Sequence, residues 1–255
     1  MINLMQGDCL ELMKTIPDGS VDLILTDPPY GTTACKWDSV IPFEPMWAEL
    51  KRIIKPNGVV ALFAGEPFTS KLICSNIDNF RYRLTWDKLQ GSGFLNSKKR
   101  PLTRIEDICI FSYVKLGKST YNPIMSSKDK SKVRDTGVRK PCKETTYGKH
   151  NSKLSSDYDK TKSHPTDIIQ QSSKQAECNS LNRVHPTQKP VALLEYLIKT
   201  YTQEGETVLD FTAGSMSTAI ACINTNRKGI MIEMDEHYFK VGSERVANAL
   251  RGKSL

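Results

Sequence analysis

A chain of 255 residues with 38% hydrophobic content can bury a core and suits one sizeable domain, or one domain carrying an insertion. No apolar run approaches the ~20 residues of a membrane-spanning helix, and MINLMQGDCLELM lacks the basic-then-apolar pattern of an export signal, so a cytosolic protein without membrane contact is expected. A net charge of +8 points to a polyanionic partner, while seven scattered cysteines with no C-x-x-C pair argue against a metal site or a disulfide framework.

In chain order, the first element is the helix CLELMKTI, for which Asp8 is a suitable N-cap. Val21–Thr26 reads as a buried strand. It runs into LTDPPYG, where Asp27 and Tyr30 flank the rigid pair Pro28-Pro29. A plain turn needs a breaker, not a carboxylate and an aromatic ring around two prolines. PFEPMWAELKRIIKPNG places Phe43, Trp47, Leu50 and Ile54 on one helical face and stops at Pro56-Asn57-Gly58. Val59–Phe63 and Ile108–Phe111 follow as strands.

Residues 115–184 break this rhythm. From Lys115 to Arg183 there are fifteen Lys plus Arg against seven Asp plus Glu, an excess equal to that of the whole chain. The segment is too poor in apolar residues to build its own core. It reads as a basic insertion, either a solvated loop or a partner-binding segment, between a main domain of residues 1–114 and 185–255. Pro141-Cys142 lies inside it, without the helix setting of a nucleophilic thiol.

Beyond it, KPVALLEYLIKTYTQEG forms a helix with Val191, Leu194, Leu197, Ile198 and Tyr201 inward, and Pro190 opens it. Then come a strand at Thr207–Leu209, a small-residue loop, a helix, a strand at Gly229–Ile232 and a last helix in DEHYFKVGSERVANAL. Ala213, Gly214 and Ser215 allow close backbone approach to a ligand. Glu233, nineteen residues after Gly214, ends a strand where an acid can accept from ribose hydroxyls. The loop is not G-x-G-x-x-G, so a nucleoside without a pyrophosphate fits best, with S-adenosyl-L-methionine the obvious one. The pattern predicts an α/β fold, a doubly wound and mostly parallel sheet of Rossmann type, with ligands at the carboxyl ends of its strands.

GDCLELM (7–13), TDPPYG (26–31), WDK with GFLNSKKRP (86–101), HPTQKP (185–190) and DFTAGS (210–215) occur in an order that resembles the β group of amino-DNA methyltransferases. The resemblance covers roughly residues 1–114 and 185–255. It implies transfer of a methyl group from S-adenosyl-L-methionine to adenine N6, or to cytosine N4, in double-stranded DNA. Asp27 and the Pro28 carbonyl would accept from the exocyclic amine of a flipped base, Tyr30 would stack on it, and Pro28 and Pro29 would hold the geometry. The same carry-over puts Asp8, Cys9, Leu10, Asp27, Thr187, Lys189, Asp210, Phe211, Ala213, Gly214, Ser215 and Glu233 at the cofactor, with Ser217 and Thr218 near its carboxylate. His185 reads as structural. Lys98, Lys99 and Arg100 would contact DNA phosphates together with the insertion.

The Asp of DPPY favours adenine over cytosine N4. A homodimer is an option taken from the family, and a bacterial or phage-infected cytoplasm is the implied setting. The loop AGSMST departs from the family in carrying Met216 where glycine is usual. A side chain there would either crowd the cofactor or point away. The first outcome would favour an alternative reading, a DNA-binding protein of this fold that has lost turnover.

Overall fold

The computed structural model describes residues 1–32, 38–129, 159–173 and 188–253. Thr187, His185 and Pro141-Cys142 therefore lie outside the described residues. Contacts divide the chain into Met1–Asn122 with Asp167–Leu255, and Pro123–Thr166. In the smaller unit, β6 (Ser126–Ser127) and β7 (Lys162–Ser163) pair antiparallel.

The larger unit holds β1 (Ile2–Gln6), β2 (Val21–Thr26), β3 (Ile54–Ala64), β4 (Phe80–Ser92), β5 (Thr103–Phe111), β8 (Ile168–Gln170), β9 (Thr207–Asp210) and β10 (Lys228–Glu233). They form one sheet in the order β1-β10-β9-β2-β3-β5-β4-β8. Pairing is parallel from β1 through β3, antiparallel between β3 and β5 and between β5 and β4, and parallel again between β4 and β8. This is the expected doubly wound, mostly parallel arrangement. β8 falls within the stretch read as the insertion, yet its residues pair with Thr85, Trp86 and Asp87 of β4.

Period-two alternation sorts the strands into two cores. Val59, Ala61 and Phe63 of β3 face α4 (Val191–Tyr201), α5 (Ser217–Asn224) and α6 (Glu236–Lys253). Val60, Leu62 and Ala64 face α1 (Cys9–Met13), α2 (Phe43–Ile53) and α3 (Phe68–Cys74). Val21, Leu23, Ile24 and Leu25 of β2 are fully buried, which stabilises the centre by about 1.5–3 kcal/mol per side chain. The helix of PFEPMWAELKRI ends earlier than expected. Ile54 already has ψ 140° and opens β3 opposite Val21, because Pro56 cannot donate into a helix and pushes Lys55 toward extended backbone.

Met216 resolves its departure by pointing away from the strand ends. It precedes α5 with φ +61°, a left-handed conformation that explains why glycine is usual there, and its side chain is fully buried. Gly242 of α6 makes the room: a Cβ at 242 would collide with Met216 Cγ and lie 3.2 Å from the Gly214 carbonyl. Met216→Gly relieves backbone strain but opens a cavity, so it is expected to cost about 1–3 kcal/mol and to leave cofactor affinity unchanged. Gly242→Ala should cost a similar amount, about 1–3 kcal/mol, by overpacking. Thermal unfolding beside calorimetric titration with S-adenosyl-L-methionine checks both.

Candidate active site

β2 and β9 are the neighbours at which the sheet's winding reverses, the place where open α/β sheets bind ligands. Their ends are stitched by hydroxyls. Asp210 accepts from Thr26 Oγ1 (2.5 Å), Thr218 Oγ1 (2.6 Å) and the Thr212 amide (3.2 Å). Thr212 Oγ1 lies 2.6 Å from Thr26 Oγ1 and donates to the Asp27 carbonyl at 3.0 Å. The chain thereby fixes the backbone at which the Asp27-Pro28-Pro29-Tyr30 turn begins.

Asp27 is the centre of a part-buried charge cluster. Its Oδ1 accepts from the Tyr30 hydroxyl at 2.6 Å and its Oδ2 from Lys189 Nζ at 2.5 Å. Lys189 Nζ also lies 2.8 Å from Glu106 Oε1 on β5 and 4.9 Å from the Phe63 ring centroid. Lys88 approaches the other Glu106 oxygen at 3.7 Å. Burial raises the Asp27 carboxyl above its ordinary value, opposed by the Lys189 charge and reinforced by that of Glu106. Burial alone would lower the Lys189 ammonium, but Asp27 and Glu106 outweigh it and hold it above the usual lysine range. The Tyr30 ring stacks on Phe68 at 5.0 Å and 23°, and Gly65 lies against its edge.

The second acid terminates β10. Glu233 Oε2 accepts from the Gly214 amide at 2.7 Å and Oε1 from the Asp235 amide at 2.8 Å, while burial raises its carboxyl. Each oxygen keeps a lone pair for a hydroxyl donor. Asp8 does cap α1, accepting from the Leu10 and Glu11 amides at 2.8 and 3.3 Å. Burial, with Asp8 adding, pushes the Cys9 thiol up to about 11, so it is no nucleophile. The Ser217 hydroxyl accepts from Arg245 Nη1 of α6 at 2.9 Å, which leaves its own O–H to donate, whereas the Thr218 hydroxyl donates to Asp210.

The structure brings the sequence-predicted residues together. Asp8, Cys9, Leu10, Asp27, Pro28, Pro29, Tyr30, Lys189, Asp210, Phe211, Ala213, Gly214, Ser215, Ser217, Thr218 and Glu233 all line one cavity of about 390 Å³. Its walls add Leu25, Phe63 and Leu194. Glu233 and Asp27 belong to strand ends two positions apart in the sheet, about 10 Å. An apolar slot with hydroxyl acceptors on one side and a carboxylate on the other fits a nucleoside carrying a reactive group. Lys98, Lys99 and Arg100 are exposed near the tip of the β4–β5 hairpin instead. Glu106 and Arg245 were not anticipated from the sequence. Among the described residues, no group of three or more His, Cys, Asp or Glu is arranged for a metal, and no helix is long and apolar enough to cross a membrane.

The profile of the DNA methylase family, N6 and N4 type, matches residues 21–244, and the chain belongs to that family. It is similar to the DNA adenine methyltransferase YhdJ of Escherichia coli, 30% identical over 260 residues, covering 95% of this chain and 82% of YhdJ. It is also similar to the type II methyltransferase M.HpaI of Haemophilus parainfluenzae, 28% identical over 263 residues, covering 98% of this chain and 75% of that protein. Among solved structures, the M1.HpyAVI–SAM complex aligns with a TM-score of 0.62 at 23% identity, over 96% of this chain and 99% of that one. The cytosine-N4-specific PvuII DNA methyltransferase aligns with a TM-score of 0.64 at 17% identity, over 98% and 91%. The last two establish likeness of fold.

Asp210 gives the site a testable pH signature. Burial raises its carboxyl to about 6 against an ordinary 3.8, so the folded protein holds a proton that the unfolded chain has released. Its contribution to stability is full below about pH 4 and is lost as pH rises through about 6, on the order of 3 kcal/mol. Urea unfolding from pH 4 to 7 is expected to show this decline in the wild type and a flatter profile in Asp210→Asn.

Proposed function

We propose that the chain methylates the exocyclic N6 amine of adenine in duplex DNA, using S-adenosyl-L-methionine. The carrying observation is that the Asp27-Pro28-Pro29-Tyr30 turn and Glu233 share one nucleoside-sized cavity at the β2/β9 switch point. When bound, the cofactor supplies an electrophilic methyl group on a sulfonium. Glu233 would receive the ribose hydroxyls, and the Gly214 amide that Glu233 anchors keeps the small-residue loop close to the ligand. Asp27 and the Pro28 carbonyl would accept the two amine hydrogens of an extruded base. They favour a tetrahedral nitrogen and stabilise the positive charge that develops on it. The Cys9 thiol at the cavity takes no part, and no covalent enzyme intermediate is needed.

Adenine is supported by the Asp at position 27 and by the likeness to an adenine methyltransferase at 30% identity. Cytosine N4 is the second reading, favoured by the PvuII likeness. The buried Met216, turned from the cavity, weakens the reading of a protein without turnover. Expression in a bacterium lacking its own DNA methylases, followed by modification-sensitive sequencing, is expected to find N6-methyladenine within one short motif. N4-methylcytosine would overturn the choice of base, and unmodified DNA with soluble protein would overturn turnover itself.

The β4–β5 hairpin supports duplex DNA as partner. Residues 88–104 carry Lys88, Lys98, Lys99, Arg100 and Arg104 and no acid. Arg104 pairs with Asp87 at 2.6 Å and Lys88 faces Glu106, whereas Lys98, Lys99 and Arg100 are exposed beside Phe94 and Leu95, themselves 75% and 82% exposed. Replacing Lys98, Lys99 and Arg100 by Ala should make the dependence of log binding constant on log salt shallower by about 2–3. Titrations between low and moderate salt read that slope, and an unchanged slope would remove these residues from the interface.

A further inference from the structure

Asp27 has a conflict to resolve. In the proposed reaction its carboxylate receives the target amine, and each oxygen, with one donor already (Tyr30 on Oδ1, Lys189 on Oδ2), keeps a lone pair for it, but the Lys189 ammonium offsets the negative charge that should face the amine. That ammonium is the obstacle. It is a buried charge, its side chain 11% exposed, and leaving it without a counter-ion is strongly disfavoured. It cannot simply retreat to water when the base arrives.

The structure supplies a second seat. Lys189 Nζ lies 2.5 Å from Asp27 Oδ2 and 2.8 Å from Glu106 Oε1, so it bridges two carboxylates that are each mostly buried. Glu106 enters from β5, paired opposite Trp86, on a different element from either partner. Its other oxygen faces Lys88 of β4 at 3.7 Å. The described charged groups around the ammonium are therefore Asp27, Glu106 and Lys88, with the Tyr30 hydroxyl within 3.3 Å of Glu106 and Asp210 acting on Asp27 from β9. Two carboxylates and two ammoniums balance, each with most of its side chain buried.

We infer that Glu106 is a positioning residue that takes the Lys189 ammonium over from Asp27 when the target base enters, leaving the Asp27 charge to face the amine undiminished. Because Lys189 already contacts both carboxylates, the handover is a shift of hydrogen bonds and not a relocation of charge through an apolar region. It also strengthens Asp27 at the moment of need. An ammonium moved onto Glu106 no longer offsets the Asp27 charge that faces the nitrogen on which positive charge grows. Without the second seat, Lys189 stays clamped on Asp27 and its positive charge opposes the one growing on the amine. The inference rests on the proposed amine methylation.

The test uses the full-length protein, S-adenosyl-L-methionine and a duplex carrying the motif found by genome sequencing. Glu106→Gln is expected to slow single-turnover methylation about 30–100-fold, while cofactor affinity and the KM for DNA move by less than about threefold. Removing the Glu106 charge also leaves Asp27 facing Lys189 alone, so the acid limb of the rate profile should move to lower pH. Glu106→Asp, which keeps the charge with a shorter reach, should lie between the wild type and Glu106→Gln and keep the wild-type acid limb. A Glu106→Gln rate within threefold of the wild type overturns the inference, as does a slowed rate with an unmoved acid limb, the result of a merely structural role. Where Glu106→Gln does not fold, as judged by cofactor binding, an unchanged rate in Glu106→Asp overturns it. An inactive wild type sinks the proposed reaction instead, so the two failures are distinguishable.

Discussion

The hydrogen bond from Thr26 to Asp210 joins the last residue of β2 to the last residue of β9. Everything functional hangs from that joint. The two strands are parallel neighbours at the reversal point of the sheet, so their carboxyl ends open on the same side. One end continues into the Asp27 turn and the other into the small-residue loop before α5. Thr212 extends the joint to the Asp27 carbonyl, so the Asp27 turn and the small-residue loop share a single hydrogen-bonded frame. A buried carboxylate costs stability, and here three donors offset that cost while setting the spacing of the two halves of the site.

Around this frame the protein separates its charges by task. Four part-buried charges, Asp27, Glu106, Lys189 and Lys88, pair into a small neutral cluster, where a lowered dielectric makes each contact strong and each loss expensive. Among the described residues, Lys98, Lys99 and Arg100 hold exposed positive charge at the hairpin tip, where salt screens it. The hairpin joins the two regimes. Its base supplies Lys88 and Glu106 to the buried cluster and its tip carries Lys98, Lys99 and Arg100.

Much of the site was legible because its chemistry is contiguous in sequence. Asp27 to Tyr30 and Asp210 to Ser215 are loops whose residue types make little sense as ordinary turns, and the buried strands before them are plain apolar runs. β4 was missed because Arg81, Arg83 and Asp87 break its apolar character, although Leu84 and Trp86 keep period-two alternation, and β1 is short and edge-lying. Glu106 was illegible for another reason. A lone acid in a strand carries no signal until pairing brings it to Lys189, eighty-three residues away. Ser217 meets Arg245, twenty-eight residues on, while Thr218 meets Asp210 only eight residues back.

Met216 and Gly242 behave as one unit of volume split across two distant positions. A side chain fills the space from one side only, since the backbone of α6 and the loop before α5 are too close to admit both. A chain of this fold with glycine in the loop has room for a side chain on the helix. A chain with bulk in the loop must have glycine on the helix. Sequence drift at either position is therefore constrained by the other, and a residue that looks like damage to a cofactor loop is half of a compensated exchange.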